Sequence, residues 1–407
     1  MSRLLHGCLR LAVVALLVAL VTSVAFLAGF AARDALAPEP TTVVAAEPAH
    51  SEEEAFRVFW EAWHILERDF YGDLPDAQEM TYSAIRGVID SLDDQYTAFL
   101  DPEMASIVRE DMSGSFEGIG AVVNMNDDGQ LEIVRTFEGK PAARAGLKPG
   151  DIVLAVGDTA IEEMSVFEAV ALIRGPAGSV ARLTIKRQGV TDPFVVEVVR
   201  QRIEMPIVES RILDDGIAYL TLSEFNAQAA SKLKADLQSL LAEEPRGLIF
   251  DLRDNPGGFL NVAVEIGSQF VSEGSILVER LKDGQDRDYP AQSGGLATDI
   301  PLVVLINGGS ASASEIVAGA IQDAGRGVLI GEQTLGKGSV QLSHYLSDGS
   351  ELRVTIARWF TPNGRAIHEE GLTPDIQVDM TEEDIEAGRD PQLQRAIEYL
   401  QGLPDEE

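Results

Sequence analysis

The chain has 407 residues, 45% of them hydrophobic, which is enough to enclose more than one core, so two principal domains are expected. Its 66 acidic against 32 basic residues, a net charge of −34, exclude nucleic acid and anionic lipid surfaces as direct partners. The single cysteine, Cys8, precedes an apolar run, and histidines 6, 50, 64, 344 and 368 show no ligand spacing; no disulfide, thiol nucleophile, metal or other cofactor is expected.

Residues Leu11 to Ala32 carry no charge, with Arg3 and Arg10 before them and Arg33 and Asp34 after them. That length suits a bilayer span, and the leading arginines put the N-terminus in the cytoplasm and the bulk outside, in the periplasm or at the cell exterior. A cleaved signal peptide is the alternative, because Ala31-Ala32 and Ala35-Leu-Ala37 suit a signal peptidase. Residues 1–34 are therefore an anchor or signal, and 35–52, rich in Pro, Ala, Thr and Glu, are a flexible linker. Over 53–112 the pattern is helical at first, with Phe56, Phe59, Trp60, Trp63 and Leu66 on one stripe, which predicts a core-facing surface.

Between residues 113 and 202 short β-branched segments alternate with Gly-rich turns and one helical stretch from Val166 to Arg174. The words Phe116-Glu-Gly-Ile-Gly-Ala-Val-Val123 and Pro141-Ala-Ala-Arg-Ala-Gly-Leu-Lys-Pro-Gly-Asp-Ile-Val153 resemble a PDZ domain. The resemblance puts Gly118, Ile119, Gly120 and Ala121 where a peptide carboxylate is received, with the next strand pairing to the peptide. Val170 is a candidate pocket residue, or an ordinary core valine.

Residues 203–380 hold the chemistry. Leu248-Ile-Phe-Asp-Leu252 predicts a strand, Asn255-Pro-Gly-Gly258 a tight turn, and Leu260, Ala263, Val264, Gly267 and Phe270 a helix. Pro301 to Asn307 predicts a buried strand, and Ile316, Val317, Ala320 and Ile321 the helix after it, so Ser312 falls at a strand-to-helix corner. There the unpaired N–H groups of a first helical turn are able to hold an oxygen that becomes anionic. A serine needs a base, and a lysine serves only when neutral, a state that burial favours. Lys337 follows the next apolar run, and Gln341, four residues on, offers a neutral acceptor that would orient the amine without keeping it charged. Gly331 to Lys337 nearly spells a phosphate-binding loop, but Gly338 stands where a hydroxyl is needed, and the segment after it is extended rather than helical. Residues 381–407 predict an acidic helical tail carrying Ile385, Leu393, Ala396, Ile397 and Leu400, with no role assigned.

Three words, Asp251-Leu-Arg-Asp-Asn-Pro-Gly-Gly258, Gly309-Ser-Ala-Ser-Ala-Ser-Glu-Ile316 and Gly336-Lys-Gly-Ser-Val-Gln341, together resemble the carboxyl-terminal processing peptidases, also called tail-specific proteases. The likeness runs from about residue 53 to 385 and includes Thr361-Pro-Asn-Gly-Arg-Ala-Ile367 and Gly371-Leu-Thr-Pro-Asp375. It implies a mixed α/β peptidase core with an inserted PDZ domain. It also implies Ser312 as nucleophile, Lys337 as base and Gln341 as its orienter, with the Gly257 or Gly258 amide joining that of Ala313 as oxyanion hole, Gly257 ranked first. Substrates would be polypeptides with free C-termini, and a homodimer through the N-terminal helices is a further expectation. The alternative from another class is a catalytically silent tail-binding scaffold at the cell surface. A trypsin-like protease is excluded by the missing Gly-Asp-Ser-Gly word and His/Asp pair.

Overall fold

The computed structural model describes residues 52–126, 128–162 and 164–404. The apolar run at 11–32 and the linker before residue 52 lie outside the described residues. Among the described residues no helix is long and apolar enough to cross a membrane.

Two compact units emerge, one ending at Asp76 and one beginning at Ala77. The first contains α1 (Glu52–Asp69). Its aromatic stripe, read from the sequence as core, is largely exposed, with Phe56 at 59% and Trp60 at 49%. The remainder of the segment expected to form one N-terminal helical region belongs to the second unit: α2 (Ala77–Asp90), β1 (Ala98–Leu100) and α3 (Pro102–Met112). β1 is tied there because it adds antiparallel to the long strand at Glu351–Phe360. Pro102 at the first turn of α3 and Asp101, whose carboxylate accepts the Met104 N–H, start that helix.

The PDZ segment runs β2 (Ser115–Gly118), β3 (Ala121–Met125), β4 (Leu131–Thr136), α4 (Pro141–Arg144), β5 (Ile152–Val156), β6 (Thr159–Ala160), α5 (Val166–Ile173), β7 (Val180–Lys186), β8 (Phe194–Val199) and β9 (Gln201–Glu204). Its sheet has the order β3-β4-β5-β7-β8 with β6 on β5, around a core of its own that includes Ile119, Leu131, Ile133, Leu183 and Ile185. The ribbon β2-β9 closes the segment and returns the chain to the peptidase core.

That core follows as β10 (Val208–Ile212), β11 (Ala218–Leu222), α6 (Ala229–Leu241), β12 (Leu248–Asp251), α7 (Leu260–Gly267), β13 (Ser275–Leu281), β14 (Asp286–Pro290), β15 (Leu302–Ile306), α8 (Ala313–Asp323), β16 (Val328–Gly331), β17 (Ser339–Tyr345), β18 (Glu351–Phe360), β19 (Ile376–Gln377), α9 (Glu382–Glu386) and α10 (Pro391–Gln401). The central sheet has the order β10-β11-β12-β15-β16-β19, parallel from β11 onward. A second sheet has the order β1-β18-β13-β14, with β17 also on β18. Because β11, β12, β15 and β16 follow one another in one direction, right-handed crossovers put α6, α7 and α8 on the same face. There Leu233, Leu237, Ala263, Ile266, Val317 and Ile321 pack on Leu220, Phe250 and Val304. The opposite face, formed by Ile217, Ile249, Val303, Leu305 and Ile330, has Ala396 and Leu400 of α10 against it. Strands covered on both sides are apolar throughout, which is why Leu302 to Ile306 is an unbroken hydrophobic run.

Candidate active site

The loops that leave the C-terminal ends of the neighbouring parallel strands β12 and β15 meet, the usual place for a site in an open parallel sheet. After β15 the chain turns sharply into α8 at Ser312, whose backbone has φ 58° and ψ −114°, conformations that cost a non-glycine residue about 1–3 kcal/mol and persist only where the surroundings enforce them. Ser312 is nearly buried, at 5% exposure. The enforcing group is Glu315, one turn into α8 and fully buried. Its carboxylate accepts the Ser312 N–H at 2.7 Å, the Thr334 hydroxyl at 2.6 Å, the Gly336 N–H at 2.7 Å and the Lys337 N–H at 3.0 Å. Burial pushes the Glu315 pKa up, and these bonds oppose that push. One side chain therefore joins the serine corner to the loop that carries the lysine, although neither motif taken alone announces it.

Lys337 is half-buried, with its Nζ 5.3 Å from the centre of the Tyr96 ring. Burial lowers its pKa from the ordinary lysine value, the Arg353 charge lowers it further, and Glu315 acts in the opposite sense. The Tyr96 ring in turn stands edge-on to His368, 5.9 Å between centres. Gly338 is needed because a Cβ there would lie 2.3 Å from the His368 backbone nitrogen. Gln341 lies on β17, as the spacing predicts, but the structure does not bond it to Lys337. Its amide nitrogen donates to Ser339 Oγ at 2.8 Å and Thr355 Oγ1 at 3.3 Å. The register of β17 against β18 shifts between Val340 and Gln341, and Lys337 lies two residues before the strand begins.

The loop after β12 brings its two glycines to the serine for different reasons. A Cβ on Gly257 would lie 2.7 Å from Ser312 Cβ, from the Ala313 nitrogen and from the Ala311 oxygen, so only glycine lets the loop touch the corner. A Cβ on Gly258 would lie 2.3 Å from the Phe225 oxygen. The Gly257 N–H, expected as the first-ranked oxyanion donor, donates to Asn255 Oδ1 at 2.9 Å. The N–H groups of Gly258 and Ala313 donate to no described residue. Asn255, fully buried, also donates from Nδ2 to the Leu222 oxygen, and its own carbonyl accepts the Ala311 N–H at 3.0 Å and Ser314 Oγ at 2.9 Å.

In the PDZ segment, Gly118 ends β2 and Ala121 begins β3, an edge strand of its sheet that lies beside α5. Ile119 is buried in the PDZ core, so its side chain is not offered to a ligand. The Ile119 and Gly120 carbonyls accept N–H groups from Ala142 and Phe137, whereas their own N–H groups donate to no described residue. Val170 is half-buried on α5 and is absent from the apolar cluster that contains Ala169 and Ile173 of the same helix, which favours the pocket reading over the core one.

Residues 216–378 match the peptidase family S41, and residues 138–187 match a PDZ domain. The carboxy-terminal-processing protease of Bartonella bacilliformis is 39% identical over 317 residues, covering 77% of this chain and 72% of that protein. The chain belongs to peptidase family S41. It is a carboxy-terminal processing serine peptidase with a PDZ domain. The carboxy-terminal processing protease CtpA of Bacillus subtilis is 35% identical to this S41 peptidase over 341 residues, 84% of the chain and 72% of the relative. Among solved structures, a photosystem II D1 C-terminal processing protease is similar with a TM-score of 0.50 and 29% identity, covering 80% of this chain and 88% of its own. A putative S41 protease from Bacteroides fragilis shares the fold with a TM-score of 0.53 at 16% identity, over 85% and 98% of the two chains.

Proposed function

We propose that Ser312 Oγ attacks the scissile carbonyl while Lys337 Nζ takes its proton, and that Lys337 returns this proton to the departing amine as the C–N bond breaks. Water then cleaves the acyl-serine, with Lys337 again as base. The amides of Gly258 and Ala313 receive the oxyanion, while Gly257 supplies the space that lets them approach. Gln341 steadies Ser339, and through it the strand that Lys337 leads into. The observation that carries this reading is the Glu315 carboxylate, which binds the backbone of both Ser312 and Lys337.

The PDZ groove between β3 and α5 captures the free C-terminus of a polypeptide, its carboxylate on the Gly118 to Ala121 loop and an apolar residue at Val170. The run at 11–32 anchors the enzyme in the inner or cell membrane with the catalytic part outside, supported by its length and flanking arginines. The exposed aromatic residues of α1 offer a surface for a second copy. The deciding test is turnover of an unfolded polypeptide by the wild type and by Ser312→Ala, with products mapped by mass spectrometry. Cleavage near C-termini that vanishes in the variant is expected; equal cleavage by both proteins removes Ser312 from the mechanism.

A further inference from the structure

The side of the central sheet opposite α6, α7 and α8 is packed by α10, and Asp390 at that helix's N-terminus, its side chain 32% exposed, connects to the loop after β12 through polar groups that are largely buried. Asp390 caps α10, its Oδ1 accepting the Leu393 N–H at 2.9 Å. The same carboxylate accepts both terminal nitrogens of Arg253, each at 2.9 Å. Arg253 also donates to Gln392 Oε1 at 3.0 Å, and its Nε and Nη2 hold Asp251, which accepts the Tyr219 hydroxyl at 2.6 Å. The Arg253 side chain is 13% exposed and that of Asp251 6%. The paired carboxylates push the guanidinium pKa above its ordinary value against the effect of burial.

Arg253 stands where the oxyanion loop begins. The next residue, Asp254, has φ 57°, so the chain reverses there in a conformation that must be held from outside, and Asn307 holds its other side by accepting the Asp254 N–H at 2.9 Å. Directly after the reversal come Asn255, which binds the Ser312 corner, and Gly257 and Gly258. A forked guanidinium with two carboxylates fixes direction as well as distance, a property that a single point charge lacks.

We propose that Asp390 is a positioning residue for catalysis: through Arg253 it sets the reversal at Asp254 and so the aim of the Gly258 N–H at the oxyanion. This rests on the oxyanion assignment made above. Because the interaction it tunes exists only in the transition state, its loss should lower kcat and leave KM nearly unchanged.

The test uses the full chain in detergent. Asp390→Ala should reduce kcat about 10- to 100-fold with KM within about twofold, the scale expected when an aligned group is displaced by an ångström or less. A peptidyl aldehyde, which adds Ser312 Oγ to its carbonyl and sets an oxygen in the same hole, should lose affinity by a similar factor. The matching peptide alcohol, which forms no such adduct, should bind as before. Asp390→Glu should recover much of the rate, and Asp390→Asn, which keeps the shape and one acceptor, gives the same readouts should the alanine variant fail to fold. Leu400→Ala loosens α10 without touching Arg253, and should lower the melting temperature while leaving kcat of the folded enzyme within about twofold, since a cavity costs stability. Wild-type kcat and aldehyde affinity in folded Asp390 variants overturn the proposal while the Ser312 reading stands. A fall in kcat with Leu400→Ala equal to that with Asp390→Ala also overturns it, by showing that any loosening of the helix suffices. Full activity in Ser312→Ala overturns both.

Discussion

Two glycine loops of this molecule, each proposed to receive a negatively charged oxygen, are built to different tolerances. The Gly118 to Ala121 loop presents the Ile119 and Gly120 amides and is held chiefly through two backbone carbonyls. The Arg253 to Gly258 loop presents one amide and is fixed by Arg253, Asp254, Asn255 and both glycines at once. The proposed ligands account for the difference. A terminal carboxylate arrives fully charged and tolerates some play. An oxyanion exists only in the transition state, and a donor that must reorganise to meet it gives up much of its effect.

The largest effects should come from breaking the tightly built side. Ser312→Ala and Lys337→Ala should each lower kcat by about 10⁴-fold or more, and the double variant should fall less than about tenfold further, because groups acting as a unit are not additive. Near-normal turnover by folded Lys337→Ala would remove lysine from the base role. Next, Gly258→Ala, whose Cβ would lie 2.3 Å from the Phe225 oxygen, should cost about 10²-fold in kcat while tail capture persists. Binding of a carboxylate-ended peptide by fluorescence anisotropy, measured beside the rate, separates the two.

On the looser side the expected losses are smaller and appear in capture. Amidating the C-terminus of a peptide should lower kcat/KM several-fold below saturation, since capture raises the local substrate concentration. Gly120→Ala should erase that difference, because the residue has φ 76° and its Cβ would lie 2.7 Å from Lys140 Cβ. Equal rates for the acid and the amide in the wild type would show that this loop does not read the terminus.

The smallest effect concerns pH. As the proposed base Lys337 would act only when neutral, so kcat/KM should rise with pH through a lysine pKa below the ordinary value, held down by burial and Arg353. Arg353→Gln removes one of these influences and should move the acid limb to higher pH. A limb that stays in place shows that another group governs it.

Much of the site was legible in the sequence because its parts are local words. The serine corner, the lysine loop and the glycine turn each lie within eight residues, and the strand and helix expected around Ser312 are β15 and α8. What escaped were contacts between words. Glu315 was read only as part of its motif, since its acceptance of Thr334 and Lys337 bridges up to 22 positions. Tyr96 reaches Lys337 across 241 positions of the chain. That Asn255 engages the Gly257 amide, the observation behind proposing Gly258 as donor, is a matter of hydrogen-bond geometry within a turn. Gln341 bonds Ser339 and Thr355 rather than Lys337, partners that residue spacing does not point to. Residues 391–401 offered only a helical pattern, and their role depends on the crossover handedness that leaves one sheet face bare.

That bare face has a consequence for biosynthesis. A chain made from its N-terminus exposes Ile249, Val303, Leu305 and Ile330 on the nascent sheet until α10 has followed. The serine, the lysine and both glycines have then all been translated, yet the last clamp on the turn at Asp254 has still to arrive. Under the role proposed for Asp390, the turn that carries Gly258 takes its final aim only once α10 has docked on this face.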